Sequence, residues 1–206
     1  GEDHISNTIK QILIYKALNW EIPEFVHLPM ILGSNKERLS KRHGATGVQE
    51  YQKEGYQHEG LLNYLAFLGW NPGTTQELFT MKELIKAFSL DRVGRAGAKF
   101  DFDKTKWFNQ QYLRSQTGAD LAKQLSPYLK KEGFVVENDY VARVCDLMKE
   151  RATFFQDILT DGRYFFEAPS SYDEKTVNKK WKEQTPEIIK ELSLLLKALP
   201  SFDSES

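Results

Sequence analysis

Cysteine is nearly absent from this chain: among its 206 residues, Cys145 is the only one. A single thiol excludes an internal disulfide and any zinc site built from cysteines. Cys145 lies among the apolar residues Val141, Val144 and Leu147. We therefore expect its side chain to be a small buried hydrophobic group.

Long apolar runs and a surplus of one charge are also missing. No stretch approaches the roughly 18 apolar residues that span a bilayer, and no signal peptide is recognisable, so we expect a cytoplasmic protein without membrane contact. The 28 Lys and Arg residues nearly balance the 29 Asp and Glu residues, and the formal net charge is -1. Binding to nucleic acid would therefore have to depend on local basic patches.

Helical periodicity dominates what is present. Apolar residues make up 40% of the chain and charged residues 28%, which is typical of a globular protein. The first predicted helix is capped by Ser6 or Asn7 and ends before Pro23. Two further helices begin at recognisable signals, one at a capping box at Thr80 and one at a cap on Asp101 or Asp103. The remaining predicted helices are Val48–Glu54 with Gly55 as its stop, Glu59–Leu68, Ala119–Lys131, Tyr140–Leu159, and Pro186–Leu199 with Thr185 as its cap.

A single strand is predicted, over the apolar run Phe25–Leu32. One strand cannot form a sheet, so we expect its partners to lie upstream of this chain. The sequence begins with Gly1 rather than Met and enters a helical pattern at once, which favours a portion of a longer protein. Together the patterns predict a mainly α fold, with a change from mixed to purely helical sequence near Thr117-Gly118.

The polar loop after this strand carries the most informative residues, Arg38-Leu39-Ser40-Lys41-Arg42-His43-Gly44-Ala45. Clustered cations with a serine among them and a glycine close behind suit a loop that folds over phosphate, with lysine as a point charge and arginine as a fork. Such cations lower the barrier to phosphoryl or nucleotidyl transfer. Taken alone, however, a short basic loop is more often solvated surface.

This loop resembles the K-M-S-K-S signature of class I aminoacyl-tRNA synthetases, in the K-L-S-K-R form of the glutamyl-tRNA synthetases. The resemblance is strong through about Leu113 and weaker beyond it. The other segments that carry it are, in order, Gly1–Thr8, Leu28–Met30, His43–Ala45, Asn63–Leu65, Leu68–Trp70, Phe100-Asp101, Lys106-Trp107 and Asn109.

The resemblance implies an ATP site. Lys41 corresponds to the second lysine of the signature, which contacts the ATP phosphates, and is the expected catalytic residue. The rest of the signature loop is Arg38, Leu39, Ser40 and Arg42, and Arg38 stands where the family usually has a lysine. The residues expected to bind ATP are Met30 and Ile31, through backbone groups at the adenine ring, with Asp3, His4 and Lys41.

The other ATP signature of the family, H-I-G-H, is absent, because His4, His27, His43 and His58 all stand in other contexts. The residues that bind glutamate are likewise expected upstream. We therefore expect the chain to lack the N-terminal half of the catalytic domain and to be unable to activate glutamate by itself, because catalysis needs both halves in one geometry.

A second basic cluster lies further along the chain. Gly94 and Gly97 interrupt it, and glycines let a backbone approach a ligand closely. Trp107 and Phe108, at its end, are expected to pack in the core rather than to stack on bases. The resemblance implies that this region contacts the inner side of the tRNA, and the expected tRNA-binding residues are Arg92, Arg95, Lys99, Lys104 and Lys106.

The resemblance also implies three parts. Residues 1–45 would end a Rossmann-type catalytic domain, 46–117 would form a helical domain that contacts the tRNA stem, and 118–206 would begin a helical anticodon-binding domain. The implied protein is a glutamate–tRNA ligase, which activates L-glutamate with ATP, assisted by Mg2+, and transfers it to the 3' end of glutamate tRNA. No metal site is expected from the residues present, and a monomer is expected.

Three alternatives remain open. A non-discriminating enzyme would also charge glutamine tRNA, and the sequence does not separate it from a discriminating one. A tRNA-binding module without catalysis would not need a loop of the ATP type. A helical protein-interaction domain would have no measurable affinity for tRNA at low salt.

Overall fold

A computed structural model describes residues 1–40 and 47–200 of the chain. It divides into two compact units, the first Gly1–Phe166 and the second from Glu167 onwards. The helices of the described residues are α1 (Ile5–Ala17), α2 (Val48–Glu54), α3 (His58–Phe67), α4 (Met81–Ala87), α5 (Phe102–Ser115), α6 (Gly118–Lys131), α7 (Asn138–Met148), α8 (Phe155–Asp161), α9 (Glu174–Lys180) and α10 (Thr185–Ala198). The predicted mainly α fold is confirmed.

The sheet corrects the predicted strand. Strand β1 comprises only Ile31–Leu32, and it pairs in parallel with a second short strand, β2 (Ala98–Lys99). This partner lies downstream, beyond α2, α3 and α4, which the sequence did not predict, and partners upstream of Gly1 stay a prediction. The pairing needs a close approach, because a Cβ on Gly97 would lie 2.8 Å from Cδ1 of Leu32.

Helix α1 begins one residue after a short 3-10 turn, Glu2–His4. Its cap position is His4, so the predicted caps Ser6 and Asn7 were wrong and lie within the first turn. The helix ends at Ala17, well before Pro23, as expected. Among the described residues it buries only Thr8, and its apolar residues are largely exposed.

Helices α2 to α5 surround an aromatic core. Tyr64 and Phe100 meet edge to face at 5.2 Å, and Phe108, which is fully buried, packs beside them. The local signals act as predicted: α2 ends at Gly55, whose φ is 91°, and Thr80 forms the expected capping box with Glu83. At α5 the cap is Asp101, which accepts backbone hydrogen bonds from the next turn, and not Asp103.

Helices α6, α7 and α8 form a second core within the same unit. Cys145 is fully buried there, as predicted, and so is Leu113, which α5 contributes. The predicted helix Tyr140–Leu159 is in fact two helices. The chain breaks after Met148 because the Asp157 carboxylate accepts hydrogen bonds from the backbone N–H groups of Thr153 and Phe154, at 2.9 and 2.8 Å, and so starts a new helix.

The predicted boundary at residues 117 and 118 falls inside the first compact unit, whereas the change of unit comes after Phe166. In the second unit, α10 has Gln184 at its cap position, so the predicted cap Thr185 is instead its first residue. Within the described stretches of the chain, none of the helices has both the length and the apolar character that a membrane crossing requires.

Candidate functional site

The first residues of the signature loop, Arg38 and Leu39, lie alongside β1. The backbone N–H of Leu39 donates to the carbonyl of Ile31 at 2.8 Å, and that of Gly33 donates to Glu37 at 2.8 Å. Asn35 stabilises the turn by donating from Nδ2 to Oε2 of Glu37 at 2.8 Å. The loop therefore leaves the sheet edge in a defined direction.

A cavity of about 280 Å³ lies where this loop meets the N-terminal turn. Inside it, Nη2 of Arg38 lies 2.8 Å from Oδ2 of Asp3, so the first cation of the signature is held by a carboxylate. The predicted site residues that line this cavity are Asp3, Met30, Ile31, Arg38 and Leu39. The fold thus brings together residues predicted from three separate segments of the sequence.

His4, which was expected to face ATP, does not line this cavity. Its side chain is exposed, and its Nδ1 lies 3.4 Å from Nδ2 of Asn7 on the first turn of α1. His4 is the N-cap residue of α1. Its role at ATP stays a prediction.

The backbone carbonyls of Met30 and Ile31 already accept hydrogen bonds within the fold. The Met30 carbonyl accepts from the N–H of Ala98 at 3.0 Å, and the Ile31 carbonyl accepts from Leu39. A contact with an adenine ring would therefore use their N–H groups, their side chains or the second lone pair of each carbonyl oxygen. Ile31 is 39% exposed, so its apolar side chain is accessible at the cavity.

Leu39 anchors the signature loop. Its side chain is partly buried against the aromatic core that contains Tyr64 and Phe108. Ser40 follows with its side chain half-buried. The predicted catalytic residue Lys41, together with Arg42, lies outside the described residues.

The predicted tRNA-binding cations are all exposed. The guanidinium of Arg92 packs against Gly73, in space that a Cβ would fill, and Gly73 adopts a φ of 72°. Lys104 differs from the others, because its Nζ lies 2.5 Å from Oε1 of Glu77. Within residues 1–40 and 47–200, no ion pair joins a carboxylate to Arg92, Arg95, Lys99 or Lys106.

Nearby aspartates are engaged elsewhere. Asp101 caps α5, and Asp91 receives a weak hydrogen bond of 3.4 Å from the Ser89 hydroxyl. Trp107 and Phe108 pack in the core as expected. The charge of the cluster is therefore not neutralised by its own acidic neighbours, apart from the Lys104–Glu77 pair.

Two buried amides were named in the sequence only as part of the resemblance and were given no role. Asn109, fully buried on α5, accepts from the backbone N–H of Gln57 at 2.6 Å and donates to the carbonyl of Thr153 at 2.6 Å. Asn63 accepts from the backbone N–H of Phe79 at 2.7 Å. Asparagines inside predicted helices were the available signal, because a buried amide requires partners.

Metal ligands are not clustered in the described part of the chain: it contains no group of three or more His, Cys, Asp or Glu side chains able to hold an ion. Asp3, the carboxylate at the candidate ATP cavity, is already paired with Arg38. The described residues therefore offer no ready-made cluster of ligands for the Mg2+ that the resemblance implies, and no step is assigned to that ion.

Two family models cover most of the chain. Residues 1–107 match the class I tRNA synthetases (E and Q), catalytic domain, and residues 120–206 match an anticodon binding domain. The first match continues through the signature loop and the basic cluster, and the second through α6 to α10. The chain belongs to the family of class I tRNA synthetases for glutamate and glutamine.

Similar proteins point to the glutamate branch of that family. The chain is 45% identical to the glutamate–tRNA ligase of Flavobacterium johnsoniae, over 99% of the chain and 44% of the relative, and 38% identical to that of Chlorobaculum parvum, over 100% and 43%. A glutamate tRNA ligase from Elizabethkingia meningosepticum, solved in complex with its amino acid, superposes with a TM-score of 0.87 at 37% identity, over 97% of this chain and 43% of that one. The chain thus spans less than half the length of these relatives.

Proposed function

We propose that this chain supplies the signature-loop side of the ATP site and part of the tRNA-binding surface of a glutamate–tRNA ligase. The observation that supports this most is the cavity at the loop, where Asp3, Met30, Ile31 and Arg38 meet although they come from separate segments. The similarity to glutamate–tRNA ligases over almost the whole chain supports the choice of amino acid.

The proposed reaction has two steps. In the first, a carboxylate oxygen of glutamate attacks the α-phosphorus of ATP, and the bond from that phosphorus to the bridging oxygen breaks as pyrophosphate leaves. Negative charge accumulates on the phosphate oxygens in this step, and Lys41 would stabilise it as a mobile point charge. Arg38, whose position Asp3 fixes at 2.8 Å, would set the direction from which the loop approaches.

In the second step, a hydroxyl group of the terminal adenosine of tRNA attacks the carbonyl carbon of glutamyl-adenylate, and AMP leaves. The residues of this chain would contribute by holding the tRNA. Arg92 and Arg95 are exposed and not neutralised by the described carboxylates, so they can meet backbone phosphates. The helices from α6 onwards would reach toward the anticodon, consistent with the family model that they match.

Three further parts of the proposal concern the whole protein. It would act as a monomer in the cytoplasm, and Mg2+ would arrive with ATP rather than at a site formed by the described residues. The functional parts would be residues 1–45, 46–117 and 118–206. The boundary at residue 117 is thus proposed for function, since the compact unit continues to Phe166.

Charging assays on the full-length protein test this proposal. We expect ATP-dependent attachment of labelled glutamate to a glutamate tRNA transcript, and no attachment of labelled glutamine. Failure to attach glutamate, in a protein that binds ATP and tRNA, would overturn the assignment. The 206-residue chain alone should show no glutamate-dependent exchange of pyrophosphate into ATP.

Two other functions remain candidates in the same assays. Attachment of glutamate to a glutamine tRNA transcript at a comparable rate would identify a non-discriminating enzyme. Binding of tRNA without attachment of any amino acid would identify a tRNA-binding module. The ATP-side cavity favours catalysis over such a module, because a purely RNA-binding protein has no need of it.

A further inference from the structure

A neutral cleft lies in the first unit, away from the ATP-side cavity. Two adjoining cavities form it, of about 500 and 430 Å³, and they share the residues Gln57, His58 and Gln124. One wall is the connection from α2 to α3, and the other is formed by α6 and the first turn of α8. We call this combined space the glutamine cleft.

The described lining of the glutamine cleft does not favour a phosphate as its ligand. Among the lining residues that the structure describes there is no lysine or arginine, and their one carboxylate, Glu59, lies 2.9 Å from Nε2 of His58. Burial raises the pKa of Tyr56, which also lines the cleft, to about 12, so this phenol stays neutral at physiological pH. A ligand without net charge fits these walls.

The amides of the cleft form an ordered relay. Nε2 of Gln124 donates to Oε1 of Gln116 at 2.7 Å, and Nε2 of Gln116 donates to Oε1 of Gln57 at 3.0 Å. At the two ends of this relay, Oε1 of Gln124 and Nε2 of Gln57 have no partner within residues 1–40 and 47–200. The relay therefore presents one acceptor and one donor to the cleft.

A further polar atom at the cleft lacks a partner. Oε1 of Gln156 is sealed from solvent and has no hydrogen-bond donor among the described residues. The amide fits only because Gly55, opposite it, has no Cβ. Because this atom is closed to solvent, a ligand in the cleft would meet the amides of Gln124 and Gln57 and not that of Gln156.

An aromatic ring stands at the rim of the cleft. Tyr128 is 49% exposed and is supported from behind by Phe155, with ring centroids 5.2 Å apart. Exposed rings that are held in place provide surfaces on which an unstacked base can lie. A nucleobase also presents neighbouring donors and acceptors along its edge, which amide side chains recognise in pairs.

We infer that the glutamine cleft binds one unpaired nucleobase of the bound tRNA, stacked on Tyr128 and hydrogen-bonded to Gln124 and Gln57. This inference rests on the proposed binding of tRNA and adds a site that is independent of the basic cluster. The base supplies the exocyclic amino donor that Oε1 of Gln124 accepts. Because the cleft is neutral, its contribution releases no counterions.

Titration of a fluorescent glutamate tRNA transcript at several salt concentrations tests the cleft. We expect Tyr128→Ala to weaken binding about 10-fold at every salt concentration, since loss of one stacked base has an effect of this order. Gln124→Ala should weaken binding severalfold. Tyr128→Phe, which keeps the ring, is the matched control and should bind within about twofold of the unmodified chain. The dependence of log affinity on log salt should have the same slope for all of them.

Dimethyl sulfate probing of the tRNA supplies a direct readout. One base should be protected by the unmodified chain and by Tyr128→Phe, and should become reactive with Tyr128→Ala. If Tyr128→Ala has lost helical content, Gln124→Ala decides the question, because Gln124 is exposed and its replacement leaves the core intact.

The outcomes separate this inference from the function on which it rests. If the unmodified chain binds tRNA and both Tyr128→Ala and Gln124→Ala bind equally well, the glutamine cleft is not a base site, and the proposed function stands. If the unmodified chain has no measurable affinity for tRNA at low salt, the tRNA-binding part of the proposed function fails and the cleft inference fails with it.

Discussion

Arg38 differs from the residue that the family usually has at this position, and the fold gives it a specific ion pair. A lysine usually stands at this position, whereas an arginine offers a planar fork with fixed donor directions. In this protein, one arm of that fork meets Asp3 at 2.8 Å, while the side chain remains 69% exposed. An ion pair this exposed contributes about 0 to 1 kcal/mol to stability, so its value lies in orienting the loop.

Replacement of Lys41 should affect catalysis far more than binding. In the full-length protein, we expect Lys41→Ala to slow formation of glutamyl-adenylate on the order of 100-fold or more, because one charge-assisted contact is lost in the transition state. Stopped-flow or pyrophosphate exchange measures the rate, and a filter assay measures tRNA affinity. Lys36→Ala, in the same loop, is the control. A rate within about twofold of normal for Lys41→Ala would show that the assigned role is wrong.

Cys145 should be unreactive until the protein unfolds. Burial raises the pKa of its thiol from 9.0 to about 11, so almost no thiolate exists at neutral pH. We expect no reaction with Ellman's reagent in native buffer and one equivalent in urea. The thiol of the unfolded chain ionises at a lower pH than the buried thiol of the folded protein. The contribution of Cys145 to the free energy of unfolding is therefore fully present below pH 9 and is lost as the pH rises toward 11. Cys145→Ala should remove that part of the pH dependence, and rapid labelling of native protein would contradict the assigned burial.

At the scale of elements, the segment from β2 through α5 joins the two ends of the first unit. Strand β2 pairs with β1, from which the signature loop departs. Helix α5 follows directly, and its last turn places Leu113 in the core of α6, α7 and α8. Midway along it, Asn109 connects the start of α3 to the Thr153 carbonyl. One helix thus fixes the ATP-side loop and the later helices in one frame.

Removal of the Asn109 side chain should destabilise the packing of α5 against the start of α3 and the segment at Thr153. Asn109→Ala leaves the part-buried N–H of Gln57 and the part-buried carbonyl of Thr153 without their partner, so we expect the free energy of unfolding to fall by roughly 2 to 4 kcal/mol. Asn109→Asp keeps an acceptor for Gln57 but has no donor for Thr153. Chemical denaturation monitored by circular dichroism measures both variants. Gln110→Ala, at the neighbouring position, is the control. Equal stability of Asn109→Ala and this control would show that the Asn109 amide does not stabilise the contact.

At the scale of the whole molecule, positive and negative charges nearly balance, but the positive charges are locally concentrated. The net charge is -1, yet Arg92 and Arg95 lie exposed in a segment whose nearby aspartates are used for capping and turns. An RNA that approaches this protein therefore meets positive charge in one region rather than everywhere. Binding should consequently be weak and strongly dependent on salt.

Removal of the two arginines should change the salt dependence of tRNA binding. If roughly three to five cations meet phosphates, the log–log slope of affinity against salt should be about -2 to -5. We expect Arg92→Ala with Arg95→Ala to flatten that slope by up to about two units without loss of helical content. Lys130→Ala with Lys131→Ala, on the exposed end of α6, is the control. A lower melting temperature with an unchanged slope would mean that the arginines serve structure alone.

Local signals in the sequence predicted most elements and the family. The capping box at Thr80, the stop at Gly55 and the cap at Asp101 act over four or five neighbouring residues, so their effect can be recognised without knowledge of the fold. The signature loop was recognisable for the same reason, since its residues are contiguous. At α1 the local signal misled, because Ser6 and Asn7 were the predicted caps whereas the helix begins after His4, whose side chain makes no capping hydrogen bond.

What only the tertiary structure decided are the pairings between distant residues. Strand β1 found its partner at Ala98–Lys99, the Asn109 amide bonded to Gln57 and Thr153, and Gly73 made room for Arg92. None of these contacts follows from periodicity, because each joins segments whose separation in sequence carries no information about their distance in space. They form when burial of the aromatic core and of the helical core brings the segments together, and each polar group then takes the partner that burial leaves within reach.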